Sequence, residues 1–475
     1  MLFCSERFIL FFVTVFAVYW ALPWQRARIY VLLIASFVFY ATWNRWLAVL
    51  ILVSSTLDYF IALRIDACRQ DRQRKILLGL SVLFNLGILC YFKYADFFLR
   101  SLEDALQVLG MSSSLPVLSV ILPVGISFYT FEAISYNVDV YRGKIKAERE
   151  WSHFMLFILF FPHLVAGPIV RGSDFLPQIQ RKKRLTWPRL NLGIQLFLIG
   201  MFKKLALGDR IATLVDVVYA DPGSFSAPML WLAALGFAVQ LYCDFSGYSD
   251  MALGTAHLLG YRLAPNFNLP FLAANISEFW RRWHMTLSNW IRDYVYIPLG
   301  GNRGSFWSMA RNLLIAMSLC GLWHGASWCF VLFGLSQGVF LVIYQAARKA
   351  LKDRPAAAAV FDSRPAIVCG VALTFVLFSL SLVFFRSENL SQSWKMFQGL
   401  FAFHGFGQVA HLNYVTIACA FIMVGIGYWM AYQERWRRLL REMPPQLVGV
   451  GYSIMSVLAL TLAPGALKSF IYFQF

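Results

Sequence analysis

Apolar residues along this chain come in long blocks separated by short polar connectors, with neither the two-residue alternation of strands nor the narrow stripes of soluble helices. The blocks at 8–22, 29–43, 46–63 and 76–92 each approach the roughly 20 residues with which a helix crosses a bilayer. Later blocks lie at about 116–138, 152–170, 190–207, 228–259, 311–346, 366–385, 412–432 and 446–465 and are less uniform. The pattern predicts an all-α polytopic membrane protein with about ten to twelve transmembrane helices, some of the remaining pieces being re-entrant or amphipathic. The block at 311–346 is too long for one straight crossing and is interrupted by Gly321, Gly325 and Gly334. Such breaks survive only inside protein or against a wet cavity. The first block has no convincing small-residue cleavage site and reads as a retained helix rather than a leader. With no internal repeat or soluble stretch, 1–475 reads as one integral-membrane domain.

Composition removes a soluble enzyme from consideration: 59% of residues are hydrophobic, 14% are charged, and the mean hydropathy is +0.61. The 17% aromatic content matches rings placed in interfacial belts and in gaps between helices. A net charge of +18 would suit a nucleic-acid partner, but the cations cluster in the connectors and no recognition module accompanies them. The positive-inside bias explains them instead, and nucleic acid is not expected. Arg26 and Arg28 precede the second block, and Arg64, Arg69, Arg72, Arg74 and Lys75 follow the third. Both connectors are therefore expected on the cytoplasmic face of a bacterial inner membrane, with the N-terminus periplasmic. Arg181-Lys182-Lys183-Arg184 is expected against anionic lipid headgroups. Eight cysteines lack the close pairs of zinc or redox sites and read as packing residues; no metal is expected.

Three places carry candidate chemistry. Asn275, with Glu278 three residues on, opens a well-defined helix that Pro298 closes, and at helical spacing His284 shares a polar strip with Arg281 and Arg292. The two guanidinium groups would then bias the imidazole toward its neutral form. An interfacial helix whose polar strip faces headgroups accounts for the same residues equally well. His324 differs, because it sits inside a long apolar run where an ionisable side chain normally faces a pathway. Gly321 and Gly325 bracket it and permit close backbone approach; a structural histidine bonded to a neighbouring carbonyl is the plainer alternative. Asp244 and Asp250, six apart, fall on different helix faces, so separate ion pairs with arginines are expected rather than a shared acid/base pair. No serine nucleophile elbow, metal-binding histidine pair or phosphate-binding glycine loop is present.

The run Phe279-Trp280-Arg281-Arg282-Trp283-His284, continued through Leu287-Ser288, Arg292-Asp293-Tyr294 and Tyr296-Ile297-Pro298-Leu299-Gly300-Gly301-Asn302-Arg303, closely resembles the membrane-bound O-acyltransferase family, nearest its alginate O-acetyltransferase branch. Gly321-Leu322-Trp323-His324-Gly325-Ala326 is similar to the family's second motif. Leu122 to Tyr129, Pro162 to Pro168, Asp244 to Asp250 and the terminal Phe470 to Phe475 match further landmarks, so the resemblance runs nearly end to end. It implies helices around a central tunnel and transfer of an acyl group, usually acetyl, from cytoplasmic acetyl-coenzyme A to a hydroxyl acceptor on the other face. His324 takes the position of the family's active histidine and His284 that of its second histidine. Arg281, Arg282, Ser288, Arg292, Asp293, Asn302, Arg303, Trp323, Asp244 and Tyr248 are the further candidates for substrate binding, the four arginines for the phosphates of coenzyme A. The resemblance also implies a periplasmic acetyltransferase partner and an exopolysaccharide acceptor. Met285, Thr286 and Asn289 depart from the first motif, and Ser336-Gln337-Gly338 stands where alginate-type relatives often have histidine before glycine. A glycan exporter that makes no bonds is the rival reading, although paired broken-helix repeats are not seen.

Overall fold

The computed structural model describes residues 1–111, 115, 116, 118, 120–164, 167–402, 414–433, 443–463 and 470. His404, His411 and the terminal landmark at 471–475 lie outside them. Every regular element among the described residues is helical. Many helices begin where the sequence supplies a side-chain oxygen for otherwise unpaired N–H groups: Ser5, Asn44, Asn275, Ser305, Ser363 and Asn389 each accept from the first turn that follows. The described chain groups into two compact units.

The first unit comprises 1–194 and 252–264. It holds α1 (Glu6–Ala21), α2 (Gln25–Ala41), α3 (Arg45–Ala67), α4 (Asp71–Leu89), α5 (Ala95–Val108), α6 (Ile126–Tyr141), α7 (Trp151–Leu159), α8 (Phe161–Leu164), α9 (Gly172–Gln180) and the start of α10 (Trp187–Phe202). A π turn at Cys90–Tyr94 joins α4 to α5. The buried Asp58 carboxylate ties three helices together, accepting from Ser81 Oγ at 2.7 Å and Asn85 Nδ2 at 2.9 Å on α4, and from Asn137 Nδ2 at 2.8 Å on α6. Neutral donors offset part of the burial cost of this charge. The Pro/Gly-interrupted piece is pinned by another buried pair, with His163 Nδ1 3.1 Å from Glu132 Oε1 and Val170 N donating to the same oxygen at 2.9 Å.

The second unit comprises 195–251 and 265–475. It continues α10 through a π turn at Lys203–Gly208 into α11 (Asp209–Ala220), then takes most of α12 (Ala227–Leu258). There follow α13 (Ile276–Arg282), α14 (Met285–Ile291), α15 (Phe306–His324), α16 (Trp328–Leu351), α17 (Pro355–Phe361), α18 (Arg364–Arg386), α19 (Leu390–Phe401), α20 (Tyr414–Tyr432) and α21 (Pro445–Leu462).

Six described helices are long and apolar enough to cross a membrane: Arg45–Ala67, Asp71–Val108, Trp187–Ala220, Ala227–Leu258, Trp328–Leu351 and Arg364–Arg386. Shorter apolar helices at Trp151–Leu164, Ile417–Tyr432 and Gln446–Leu462 accompany them. The chain is a multi-pass membrane protein. Two details differ from the block pattern. In the block at 116–138 the described helix begins at Ile126. That at 311–346 splits at Gly325, whereas Gly321 and Gly334 lie inside unbroken helices.

Candidate active site

The helix expected to run from Asn275 to Pro298 is instead broken at the histidine. Asn275 Oδ1 accepts from Glu278 N at 2.9 Å and the Glu278 carboxylate accepts from Ala274 N at 3.0 Å, so the capping signature holds. After α13, Trp283 is extended and His284 adopts φ +41°, ψ +52°, a left-handed conformation that histidine occupies more readily than most residues. Its carbonyl then accepts from Ser288 N at 2.9 Å and starts α14. Left-handed residues between short helices cluster at functional sites, where surrounding bonds hold the strain.

Those bonds come from residues 266–268. Asn268 N donates to Arg282 O and Met285 N donates to Asn266 O, both at 2.9 Å, so the break is clamped on either side. The buried Asn266 side chain accepts from Thr286 Oγ1 at 2.7 Å and donates to Ser249 Oγ of α12 at 3.1 Å. Nothing in the pattern of the sequence singled out Asn266; the available signal is an asparagine between Pro265 and Pro270 in a stretch otherwise free of helix, where a polar side chain must find partners within the protein.

The break turns His284 inward. It is fully buried while Arg281 and Arg292 are exposed, so the shared polar strip does not form. Its imidazole packs edge-on against Phe245 of α12 at 4.7 Å between centroids and lies 5.8 Å from Trp323. Neither ring nitrogen has a hydrogen-bond partner on another described residue. The imidazole is held neutral, as expected, but by a different cause: burial, not neighbouring arginine, pushes its pKa down to about 3.

His324 is the last residue of α15, and Gly325 begins the turn into α16. The two helices meet at backbone distance. A Cβ on Gly321 would stand 2.1 Å from Phe330 O, and one on Gly334 would stand 2.2 Å from Met317 O. Glycine is thus required here for contact rather than for bending. The His324 ring, 4% exposed, touches Trp323 (5.0 Å), Phe385 of α18 (5.3 Å) and Phe333 of α16 (6.0 Å). Its centroid is 6.4 Å from that of His284. The two motif histidines, 40 residues apart in sequence, are therefore neighbours inside an aromatic enclosure. Nearby, Trp280 Nε1 donates to Gln337 Oε1 at 3.2 Å and Gln337 Nε2 donates to Ser381 Oγ at 2.7 Å. Gln337, at the position where relatives often carry histidine, thus fastens α13, α16 and α18 together.

The remaining candidates are distributed more widely. Arg281, Asn302 and Arg303 are exposed; Arg282 pairs with Glu278 at 2.7 Å and Arg292 with Asp293 at 2.8 Å. Ser288 Oγ donates to Trp283 O at 3.1 Å, which supports the break. Asp244 and Asp250 do take separate partners, but these are lysines rather than arginines. Lys204 Nζ lies 2.7 Å from Asp244 and 2.8 Å from Asp209, all three buried, and Lys203 Nζ lies 2.7 Å from Asp250. Both lysines belong to the π turn at Lys203–Gly208. The Tyr248 ring lies 5.8 Å from Lys204 Nζ and 4.3 Å from Phe470.

Comparison with known proteins adds a relationship. The model of MBOAT, the membrane-bound O-acyltransferase family, matches residues 150–386, a stretch containing both histidines. Over 420 residues the chain is 41% identical to the "probable alginate O-acetylase AlgI" of Pseudomonas aeruginosa, covering 87% of this chain and 77% of that protein. Its counterpart in Azotobacter vinelandii is 38% identical over 440 residues, 90% of this chain and 84% of the other. The "peptidoglycan O-acetyltransferase" of Helicobacter pylori is 35% identical over 408 residues, 80% and 75% respectively.

Proposed function

Since the chain belongs to the membrane-bound O-acyltransferase family, we propose that it moves an acetyl group from cytoplasmic acetyl-coenzyme A to a hydroxyl on the periplasmic side of the inner membrane, for O-acetylation of an exopolysaccharide such as alginate. The relatives' names point to carbohydrate hydroxyls as acceptors, and delivery through a periplasmic partner protein belongs to the same reading. The observation that carries it is the pair of buried imidazoles with centroids 6.4 Å apart in an aromatic enclosure.

In this reading the rings have different tasks. A general base works best with a pKa near the operating pH, and burial takes His284 far below it. His324, at the position that the resemblance gives to the family's active histidine, receives the acceptor's hydroxyl proton as its oxygen attacks the thioester carbonyl. His284, neutral and held by the clamped break, donates one N–H to the developing oxyanion. The C–S bond then breaks, the thiolate takes the proton from His324, and the ester and free thiol leave. Arg281, Arg282, Arg292 and Arg303 would hold coenzyme A phosphates through charge-assisted bonds.

The test compares purified wild type, His324→Ala and His284→Ala, each folded in detergent, for acetyl-coenzyme A consumption with acceptor and partner present. Turnover should vanish in His324→Ala and fall roughly 10²–10³-fold in His284→Ala, the range for removing one oxyanion donor. Full turnover by folded His324→Ala would end the proposal, and glycan movement without thioester cleavage would replace it with export.

A further inference from the structure

Within the first unit, several cations converge without pairing to a described carboxylate. Lys183, only 7% exposed, holds Nζ 4.4 Å from the centroid of the Tyr261 ring. Arg28, 9% exposed, lies with Cζ 4.9 Å over Trp20; its Nη1 donates to Lys183 O at 3.1 Å and its Nε to Leu22 O at 2.7 Å. At Gly260 (φ +92°) a Cβ would stand 2.7 Å from Arg189 Nη1 and 3.2 Å from Lys183 Cδ, so two cationic side chains cross one α-carbon that only glycine leaves open. Arg189 Nη1 also donates to Arg184 O at 3.3 Å.

None of Arg28, Lys183, Arg184 and Arg189 makes an ion pair with a described carboxylate. Buried cations are ordinarily paired, because desolvation is costly without an opposing charge. Here carbonyl oxygens and aromatic faces supply partial compensation. The shortage of negative charge is also felt by Lys183, whose pKa is pushed down to about 8, first by burial and then by Arg189 and Arg181. Exposed Trp24, four residues before Arg28, and Trp187, between Arg184 and Arg189, are the kind of indole that settles at headgroup depth.

We propose that Lys183, Arg189 and Arg184, braced by Arg28, form a binding site for a phosphate group, with the headgroup of an anionic phospholipid as the source that the flanking indoles favour. A lone phosphate oxygen set would supply the missing charge and accept several N–H donors at once. Acyl transfer plays no part in this assignment, and its test does not depend on turnover.

The full chain in phosphatidylcholine nanodiscs is titrated with phosphatidylglycerol, and separately with inorganic phosphate and coenzyme A, reading lipid occupancy by native mass spectrometry and ligand binding by the shift in unfolding temperature. Wild type should take phosphatidylglycerol in preference to phosphatidylcholine. Lys183→Met and Arg189→Gln should each weaken that preference about five-fold, while Lys183→Arg and Arg100→Gln, the latter an exposed cation elsewhere in the unit, keep it. Unfolding temperatures in plain phosphatidylcholine show which variants are folded, and either one alone suffices. If a soluble phosphate probe, and not the lipid, shows the same dependence on Lys183 and Arg189, the phosphate site stands with a soluble source. If no phosphate-bearing probe separates wild type from the folded variants, the site does not exist.

Discussion

Replacing Gly321 by alanine would place a methyl carbon 2.1 Å from the Phe330 carbonyl oxygen and 2.8 Å from Gly334 N. Ordinary contact begins near 3.4 Å, so α16 would have to retreat about 1.3 Å at this level, and the obstacle is backbone rather than the end of a flexible side chain. Overpacking of this kind costs roughly 1–3 kcal/mol. Its larger effect should be on position, because His324 lies three residues further along α15 and touches Phe333 of α16. A shift near 1 Å at a reacting group costs on the order of 10²-fold in rate. On the proposed function, Gly321→Ala is therefore expected to insert in the membrane, unfold at a lower temperature than wild type and consume acetyl-coenzyme A about a hundred-fold more slowly. Gly79→Ala on α4 is the matched control: nothing lies within 4 Å of its new methyl, and it should turn over normally with unchanged or slightly raised stability. Equal turnover by the two variants would refute the claim that backbone contact between α15 and α16 sets the place of His324.

Three further outcomes follow from the same geometry. Asn266→Ala removes the acceptor of Thr286 and the donor to Ser249, and should cost about 2–4 kcal/mol with a disproportionate loss of transfer rate, measured by thermal unfolding beside turnover. Lys204→Met leaves Asp209 and Asp244 without the cation between them, and should destabilise by about 3–5 kcal/mol; wild-type thermal stability would contradict the ion-pair reading. Because burial lowers the His284 pKa to about 3, the unfolded chain takes up that proton first as pH falls. The stability this provides is complete above about pH 6.5 and is lost toward pH 3 at about 1.4 kcal/mol per unit, so wild type should lose more unfolding temperature than His284→Gln between those limits, and parallel curves would exclude it.

Much of the fold was legible because lipid imposes a coarse rule: a crossing helix needs a long apolar run, and α3, α10, α12, α16 and α18 all lie where such runs do. The two histidines were legible as polar residues within specific motifs. The break at His284 was hidden for a physical reason. Asn275 and Glu278 announce a helix start, Pro298 announces its end, and neither glycine nor proline lies at 283–284 to mark an interruption. The interruption is enforced by bonds from 266–268, which are tertiary and leave no local trace. Lys203 and Lys204 were missed as partners of the aspartates for a related reason, since pairing across about 40 residues of sequence leaves no local trace. Close backbone approach at Gly321 was legible beside His324, but the interruption expected at Gly321 and Gly334 falls at Gly325 alone, because a missing side chain serves two packed helices as well as it serves a break.

Of the six long helices, α12 is the most thoroughly sheathed, with 78% of its apolar window enclosed by protein against 17% for Asp71–Val108. Bilayer thickness acts on a helix through the surface that lipid chains touch. Thinner or thicker membranes therefore pull first on the outer stretch, while the strut bearing Asp244, Phe245 and Ser249 is shielded from acyl chains. The contacts that this strut makes should therefore hold across growth temperatures that alter lipid length.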